Sequence, residues 1–539
     1  MLLKQITTAL QDALEANGIS GVPVVLSPSK HGDFQCNAVI SAAKKAGRDP
    51  NDVAKLVLYH LAHSARLPGA GMTISGNGFI NIHLQDSALA KAIDENKIAP
   101  KPSDGPVVYL DFGGPNVAKP MHVGHLRSLV IGDSLQRILR FTGHNVVSDI
   151  HLGDFGLQMG LLLAQLEDVG EEFVTLELLE EVYPLATKRS KTDQDFKDKA
   201  QKLTAIVQSG YDNHIEVEKW KRFVKVSMES VYRDVSDLGV LFTLYKGESD
   251  TQPQIPRMIA MLHNAGMLED DDGTQITRAC DPPMVLITNA GTALYSLTDL
   301  TTILQRKEDR KSPADRIIYV VDQRQSLHFQ QLFEVADKVG LMPKDKLTHV
   351  GFGTVNGPDG RPLKTRDGGS PKLHDLIETA KAKAAERNPD VANEVALAAL
   401  KFADLQNLRM SSYTFDLDRF LSFEGKTGPY LLYQCVRIKK LLAASEIEPG
   451  PVFIGSPPEE RALALMLAVG FEAALNKAVS ANSPKEIADF AYDLAQTFSS
   501  FYAACPISGI DYRLGLAKHT LHQLETALDL LGIEVPEAM

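Results

Sequence analysis

The spacing of apolar residues changes period several times along the chain, and each change marks an element or a boundary. MLLKQITTALQDALEANG reads as an amphipathic helix ending near Gly18, and the β-prone GVPVVLS follows it. HGDFQCNAVISAAKKAG and NDVAKLVLYHLAHSA read as helices, and MTISGNGFINIHL as strands about a Gly-Asn-Gly turn. Residues 1–104 are thus expected to form a self-contained α/β unit, closed by the linker PSDGP at 102–106.

The run VVYLDFGGPNVAKPMHVGHLRSLVIGDSLQRILRFTG then carries the densest signal. A short apolar segment, Val107 to Leu110, breaks at Gly-Gly-Pro, and apolar residues from Leu126 through Ile138 resume at helical spacing. That predicts strand, loop and helix. NVVSDIHLGDFG supplies a second strand ending at Gly153 and Asp154, as in a doubly wound sheet over 105–160. Residues 161–279 read as a charged helical insertion with the solitary Trp220, after which PPMVLITNAGTALYSLTDLTTILQRKED and the β-prone DRIIYVVD resume the sheet over 280–345. Across 346–390 a further strand, a Gly-Pro-Asp-Gly hairpin turn and a basic loop lead into a helix. From 391 to 539 nearly every segment repeats apolar residues at i, i+3, i+4 and i+7, so an all-α bundle is expected.

Composition narrows this picture in two ways. The 539 residues, 44% of them apolar, are enough for several buried cores, and no uninterrupted apolar run approaches the roughly 20 residues of a membrane span. A cytoplasmic protein is the expectation. The four cysteines, Cys36, Cys280, Cys435 and Cys505, lie far apart with no C-x-x-C pair, so neither a structural metal nor a disulfide framework is suggested. A net charge of −12 sits awkwardly with a nucleic-acid partner, although net charge does not report local patches. The lysine-rich interval 188–202 fits a solvated helix face as well as an RNA contact.

The candidate chemistry lies where the first loop enters its helix. His122, Gly124 and His125 place two imidazoles and a position without a side chain at a helix N-terminus, where unpaired N–H groups and the dipole favour an anion. With 15 His and 39 Gly in the chain, His-x-Gly-His is expected by chance about 0.03 times. A phosphate site is one reading; a pair of helix-capping histidines is the other. Farther on, Tyr295 and Asp299 are four apart on a predicted helix and share a face, so the carboxylate could hold a planar cation. Its alternative is an ordinary pairing with a neighbouring arginine.

DFGGPNVAKPMHVGHLRS followed by HLGDFGLQMG resembles the first half of the catalytic domain of class I arginyl-tRNA synthetases, HVGH matching their HIGH signature. HGDFQCN and GFINIHL are similar to that family's additional N-terminal domain, which contacts the tRNA body, and Asn77 falls in that region. FEGKTGPYLLYQCVRI and LLGIEVPEAM resemble its anticodon-binding domain, with Tyr430, Tyr433 and Arg437 as candidate contacts to unpaired bases. The fold this implies is α/β, a Rossmann-type catalytic domain between an N-terminal α/β domain and a C-terminal helical bundle.

The resemblance also implies roles. ATP, accompanied by Mg²⁺, is expected at His122, Gly124, His125, His328, Thr354, Val355 and Lys364. L-arginine is expected at Asp111, Asn116, Tyr295, Asp299 and Gln325, the first two toward its α-amino end. Lys364 and Arg366 stand where the family has its KMSKS loop, in degenerate form, and Lys119 just upstream of HVGH is the compensating lysine. Activation to arginyl-adenylate and transfer to the 3′ end of tRNA(Arg) follow, by a monomeric ligase with no protein nucleophile and with tRNA needed for activation. One departure stands out: Gly113 and Gly114 replace two serines usual in the family, removing hydroxyl contacts to substrate. Two rival readings are another HxGH nucleotidylyl transferase and a catalytically weakened synthetase-like RNA binder.

Overall fold

The computed structural model describes residues 2–63, 69–167, 169–170, 173–210, 213–364 and 370–539. Its N-terminal unit packs the helices Leu2–Ala16, Ala38–Ala46 and Pro50–His63 with a four-stranded antiparallel sheet in the order Leu26–Ser29, Gly32–Cys36, Phe79–Leu84, Ala70–Ser75. The segment HGDFQCN, expected to be helical, is a strand over Gly32–Cys36. Phe34 and Cys36 alternate inward opposite Ile82 and Ile80, and this period of two is too short a run to stand out beside the helix that follows.

At the centre lies a four-stranded parallel sheet in the order Leu347–His349, Arg316–Val320, Val107–Phe112, Asn145–Asp149. The chain goes outward from Val107–Phe112 to Asn145–Asp149 and then returns past its starting strand to Arg316–Val320. Winding therefore reverses between Val107–Phe112 and Arg316–Val320, and the residues that follow their carboxyl ends line a cleft, which is where such sheets hold ligands. The helix Val123–Phe141 covers the sheet with an almost wholly buried body.

The insertion holds the helices Leu176–Arg189, Gln194–Gln208 and Ile215–Asp237 around Phe155, Met159, Leu162 and Phe223. Trp220 ties it to the sheet by donating from Nε1 to the Asp154 carbonyl at 2.7 Å. The helical run ends sooner than expected, because Glu269–Asp271 and Thr274–Thr277 form a hairpin extended by Met284–Ile287. Asp272 and Gly273, both at positive φ, make its turn.

Beyond Ala392 the fold is a helical bundle. Within it Pro458–Ala481 is one continuous helical stretch, 24 residues long and apolar enough on average to cross a membrane, although Glu472 and Lys477 interrupt its apolar run as the sequence expectation required. Here it packs against Lys485–Ala504. The N-terminal unit docks on the same stretch, since Arg461 grips Asp33 with both Nη atoms, at 2.8 and 2.9 Å, and donates to the Leu84 carbonyl.

Candidate active site

The two histidines of HVGH close the helix N-terminus on each other. His122 Nδ1 accepts from the Gly124 N–H, and His125 Nδ1 accepts from the His122 N–H, both at 3.0 Å. Because each Nδ1 is an acceptor, each neutral ring carries its proton on Nε2. Burial keeps both rings neutral, His125 down at about 3 with His122 as a lesser cause, and His122 also lowered by Lys119 and Arg324. Capping and anion contact thus use different nitrogens, and the two sequence readings are compatible.

The expectation of free backbone donors at this end is corrected. Val123 N–H donates to the Pro371 carbonyl at 3.0 Å, Gly124 N–H is held by His122, and His125 N–H returns to the His122 carbonyl. Among the described residues of this helix start, the two Nε2–H donors are the groups left to meet an anion. Lys119 is exposed, its ammonium 4.4 Å from the centroid of the Tyr183 ring on the cleft wall.

A cleft of about 860 Å³ runs from these imidazoles to Asp299. His122, His125, Asp111, Asn116, Tyr295, Asp299, Gln325 and His328 all line it, so the two segments that sequence placed far apart do meet. At the far end Asp299 Oδ2 lies 2.6 Å from His328 Nε2, and the exposed Tyr295 ring sits edge-on to the same imidazole at 4.8 Å. His328, expected near the nucleotide, is thereby the partner of the carboxylate. Asn116 and Gln325 are exposed on the walls.

Glu248, which the sequence did not single out, lines the same end. Burial and then the Asp299 charge push its carboxyl up to about 8. In sequence it is one acid of a Gly-Glu-Ser-Asp tract, with no spacing that sets it apart from other polar loops.

Beneath the cleft floor is a buried quartet. Arg306 Nη2 bridges Asp111 Oδ2 at 2.6 Å and Asp149 Oδ2 at 2.9 Å, and His151 Nδ1 is 3.4 Å from Asp149. Burial opposes a charge on His151, yet Asp149 and Asp111 outweigh it and lift the ring to about 9. Two cations face two anions where a guanidinium already occupies the space a metal would need. Asp111 is therefore a shared carboxylate, and its partner lies 195 residues away in sequence.

The glycine pair has a structural cause. Gly113 takes φ +77°, and its N–H donates to Ser128 Oγ, which in turn donates to the Val320 carbonyl. A Cβ at Gly114 would lie 2.0 Å from the His151 carbonyl oxygen. Serines do not fit this backbone path, so the departure from the family pattern goes with the close approach of the two strand ends.

Other expected residues fall elsewhere. Val355 is buried in the core and Thr354 Oγ1 is engaged with Asn356 and Ser412, so neither side chain lines the cleft. Lys364 is exposed, and Arg366 lies outside the described residues. Asn77 is exposed in its hairpin turn. Tyr430 is buried with its hydroxyl accepting from Gln496, which corrects its assignment to base stacking; the helical spacing that placed it on one face with apolar residues put it in the core. Tyr433 is 45% exposed, and Arg437 lies over the Tyr502 ring at 3.9 Å.

Comparison with known proteins covers the whole chain. A family model described as tRNA synthetases class I (R), catalytic domain, matches residues 87–417. An arginyl tRNA synthetase N terminal domain matches 1–84, and a DALR anticodon binding domain 431–539. The arginine–tRNA ligase of Hyphomonas neptunium is 42% identical with 100% of both chains covered, and that of Francisella tularensis subsp. novicida 40% with 94% of each. Among solved structures, Plasmodium falciparum arginyl-tRNA synthetase superposes with a TM-score of 0.85 over 99% of each chain at 23% identity. The Thermus thermophilus enzyme gives 0.81 over 100% of each, also at 23%, and both likenesses concern the fold.

Proposed function

The chain belongs to the class I arginyl-tRNA synthetase family, and from that premise we propose how its residues divide the work of an arginine–tRNA ligase. ATP lies across the HVGH helix start with its phosphates toward the Nε2–H donors of His122 and His125. The guanidinium of L-arginine sits at the other end against Asp299, Glu248 and Tyr295, leaving its carboxylate directed at the α-phosphorus. A carboxylate oxygen attacks, the bond to the bridging oxygen breaks, and pyrophosphate leaves with the electron pair. Neutral imidazoles suit this step, because they donate to oxygens on which charge grows without first pairing with the substrate as ions.

The terminal ribose hydroxyl of tRNA(Arg) then attacks the arginyl carbonyl and AMP departs. Mg²⁺ accompanying ATP would be held chiefly by phosphate oxygens and would supply neutralisation of their charge. The buried carboxylates of Asp111 and Asp149 are held by Arg306, which leaves phosphate oxygens and water as its ligands. The enzyme works as a cytoplasmic monomer.

The observation that carries the proposal is the shared cleft of the imidazole pair and Asp299. Exchange of labelled pyrophosphate into ATP tests it: incorporation is expected with arginine when tRNA(Arg) is also present, and not without the tRNA. Incorporation indifferent to arginine would refute it. An inactive RNA binder has no need of the intact donor pair, and its prediction is no exchange at all.

Arginine uptake is expected to release a proton. At neutral pH Glu248, lifted to about 8, is mostly protonated in the empty cleft, and an arriving guanidinium favours its ionised form. Affinity for arginine should therefore rise between pH 6 and about 8 and level off above. Calorimetry in buffers of different ionisation enthalpy reads the proton directly, and Glu248→Gln should remove both the release and the slope. Buffer-independent heats with a flat affinity profile would contradict the assignment.

On the tRNA side Tyr433 and Arg437 remain the candidate contacts. Tyr433→Ala is expected to change stability by less than about 0.5 kcal/mol and to raise the KM for tRNA. Tyr430→Ala should instead cost about 3 kcal/mol in thermal or denaturant unfolding. Equal stability losses in the two variants would count against this division.

A further inference from the structure

Arg127, two residues beyond His125, is a fully buried guanidinium that does not line the cleft. Its Nε lies 2.9 Å from Asp404 Oδ2, a carboxylate on the helix Ala392–Leu405 that is just as buried. Nη1 donates to the Ser411 carbonyl at 2.9 Å, and the rings of Tyr413 and Phe352 lie 5.2 and 5.8 Å from its central carbon. Isolated buried ion pairs add little stability over well-packed apolar residues, but the planar fork of an arginine fixes direction.

What it directs can be traced. Tyr413–Thr414 pairs in parallel with Val355–Asn356, with Tyr413 N–H donating to the Thr354 carbonyl and Phe415 N–H to that of Asn356 at 2.8 Å. Leu363 N–H in turn donates to the Val355 carbonyl at 3.0 Å, and Leu363 is followed by Lys364. On the far side, Leu373 N–H donates to the Met121 carbonyl at 2.9 Å and Val123 N–H to that of Pro371, a direct two-bond ladder onto the HVGH helix start. The outgoing flank of the Lys364 segment is thus sewn to the imidazoles by backbone. The incoming flank reaches the same helix only one turn farther on, through Ser411, Tyr413 and Asp404 to Arg127.

We infer that Arg127 is a positioning residue for the activation step: it holds the strand leading to Lys364 in register with the imidazoles of HVGH, so that both phosphate-handling elements meet one ATP. The inference rests on the assignment of Lys364 and HVGH to ATP given above. It predicts an effect confined to the nucleotide, since Asp299, Glu248 and Tyr295 are held by other elements.

Two variants test it in the full-length enzyme. Arg127→Lys retains a positive charge for Asp404 but has no fork to reach Ser411 as well. The double variant Arg127→Met/Asp404→Leu removes both charges and leaves neither stranded. In pyrophosphate exchange, each is expected to lose at least about tenfold in kcat/KM for ATP while the KM for arginine stays within about twofold. Cooperative melting near that of the parent accompanies this. A folded double variant with unchanged ATP kinetics overturns the inference, as does a parallel loss for ATP and arginine. Failure of both variants to melt cooperatively also overturns it, because the pair is then a folding determinant. These assays contain tRNA(Arg); if the parent enzyme itself then shows no arginine-dependent exchange, it is the ligase reading that fails, so the two failures are distinguishable.

Discussion

Asp299→Ala is expected to lower kcat/KM for arginine by about 10²–10³-fold in pyrophosphate exchange while the KM for ATP stays within about twofold. The size follows from taking away one of the two carboxylates that face the guanidinium, while Glu248, relieved of the Asp299 charge that helps hold it protonated, ionises on arginine binding and offsets part of the loss. The selectivity follows from distance along the fold. Asp299 stands on the helix Tyr295–Lys307, whereas the imidazole pair stands at the start of Val123–Phe141. His328 complicates the alanine variant, since its Nε2 loses the partner it has at 2.6 Å. Asp299→Asn separates the effects, because an amide oxygen can still accept from His328 while the charge is gone. Both variants should fail alike on arginine. Recovery in the asparagine variant would mean that the hydrogen bond to His328, and not the charge, recognises the substrate.

His125→Ala is the second large effect, an expected loss of about 10²–10³ in kcat for adenylate formation, the magnitude typical of removing one preorganised donor to a developing oxyanion. Part of any loss must come from the cap, because His125 Nδ1 also holds the His122 N–H at 3.0 Å. A lost cap costs about 1 kcal/mol of stability. His125→Asn keeps an acceptor near that N–H but carries no donor as far out as Nε2, so it should recover the melting temperature and not the rate. With its ring held at about 3, His125 contributes no protonation event between pH 5 and 9, and the activity profile should lack an acid limb from it. Wild-type turnover in His125→Ala would remove the imidazole from the chemistry, and full rescue by asparagine would reduce it to a cap.

The glycine pair illustrates how a sequence departure changes meaning once distances are known. Read along the chain, Gly113 and Gly114 look like lost hydroxyls and hence a weakened pocket. In the fold, Ser128 accepts from the Gly113 N–H at 2.8 Å, and the missing Cβ of Gly114 is what lets the His151 carbonyl approach. The same holds for Asp111. A strand-end carboxylate was readable as a partner for an ammonium, but its engagement by Arg306 was not.

Local pattern was enough for the elements and for the chemistry that sits within one turn of helix. The strand, loop and helix around HVGH, the face shared by Tyr295 and Asp299, and the helical bundle each follow from spacing over a few residues, where chain geometry alone sets which side chains are neighbours. Tertiary structure decided the rest. Arg306 with Asp111, Arg127 with Asp404, Glu248 beside Asp299 and Arg461 with Asp33, the last pair 428 residues apart, are contacts between elements. Such pairings are selected by how whole faces pack and which buried charges must be matched. No periodicity along the chain carries that information, because a buried charge is satisfied by whatever the fold brings to it.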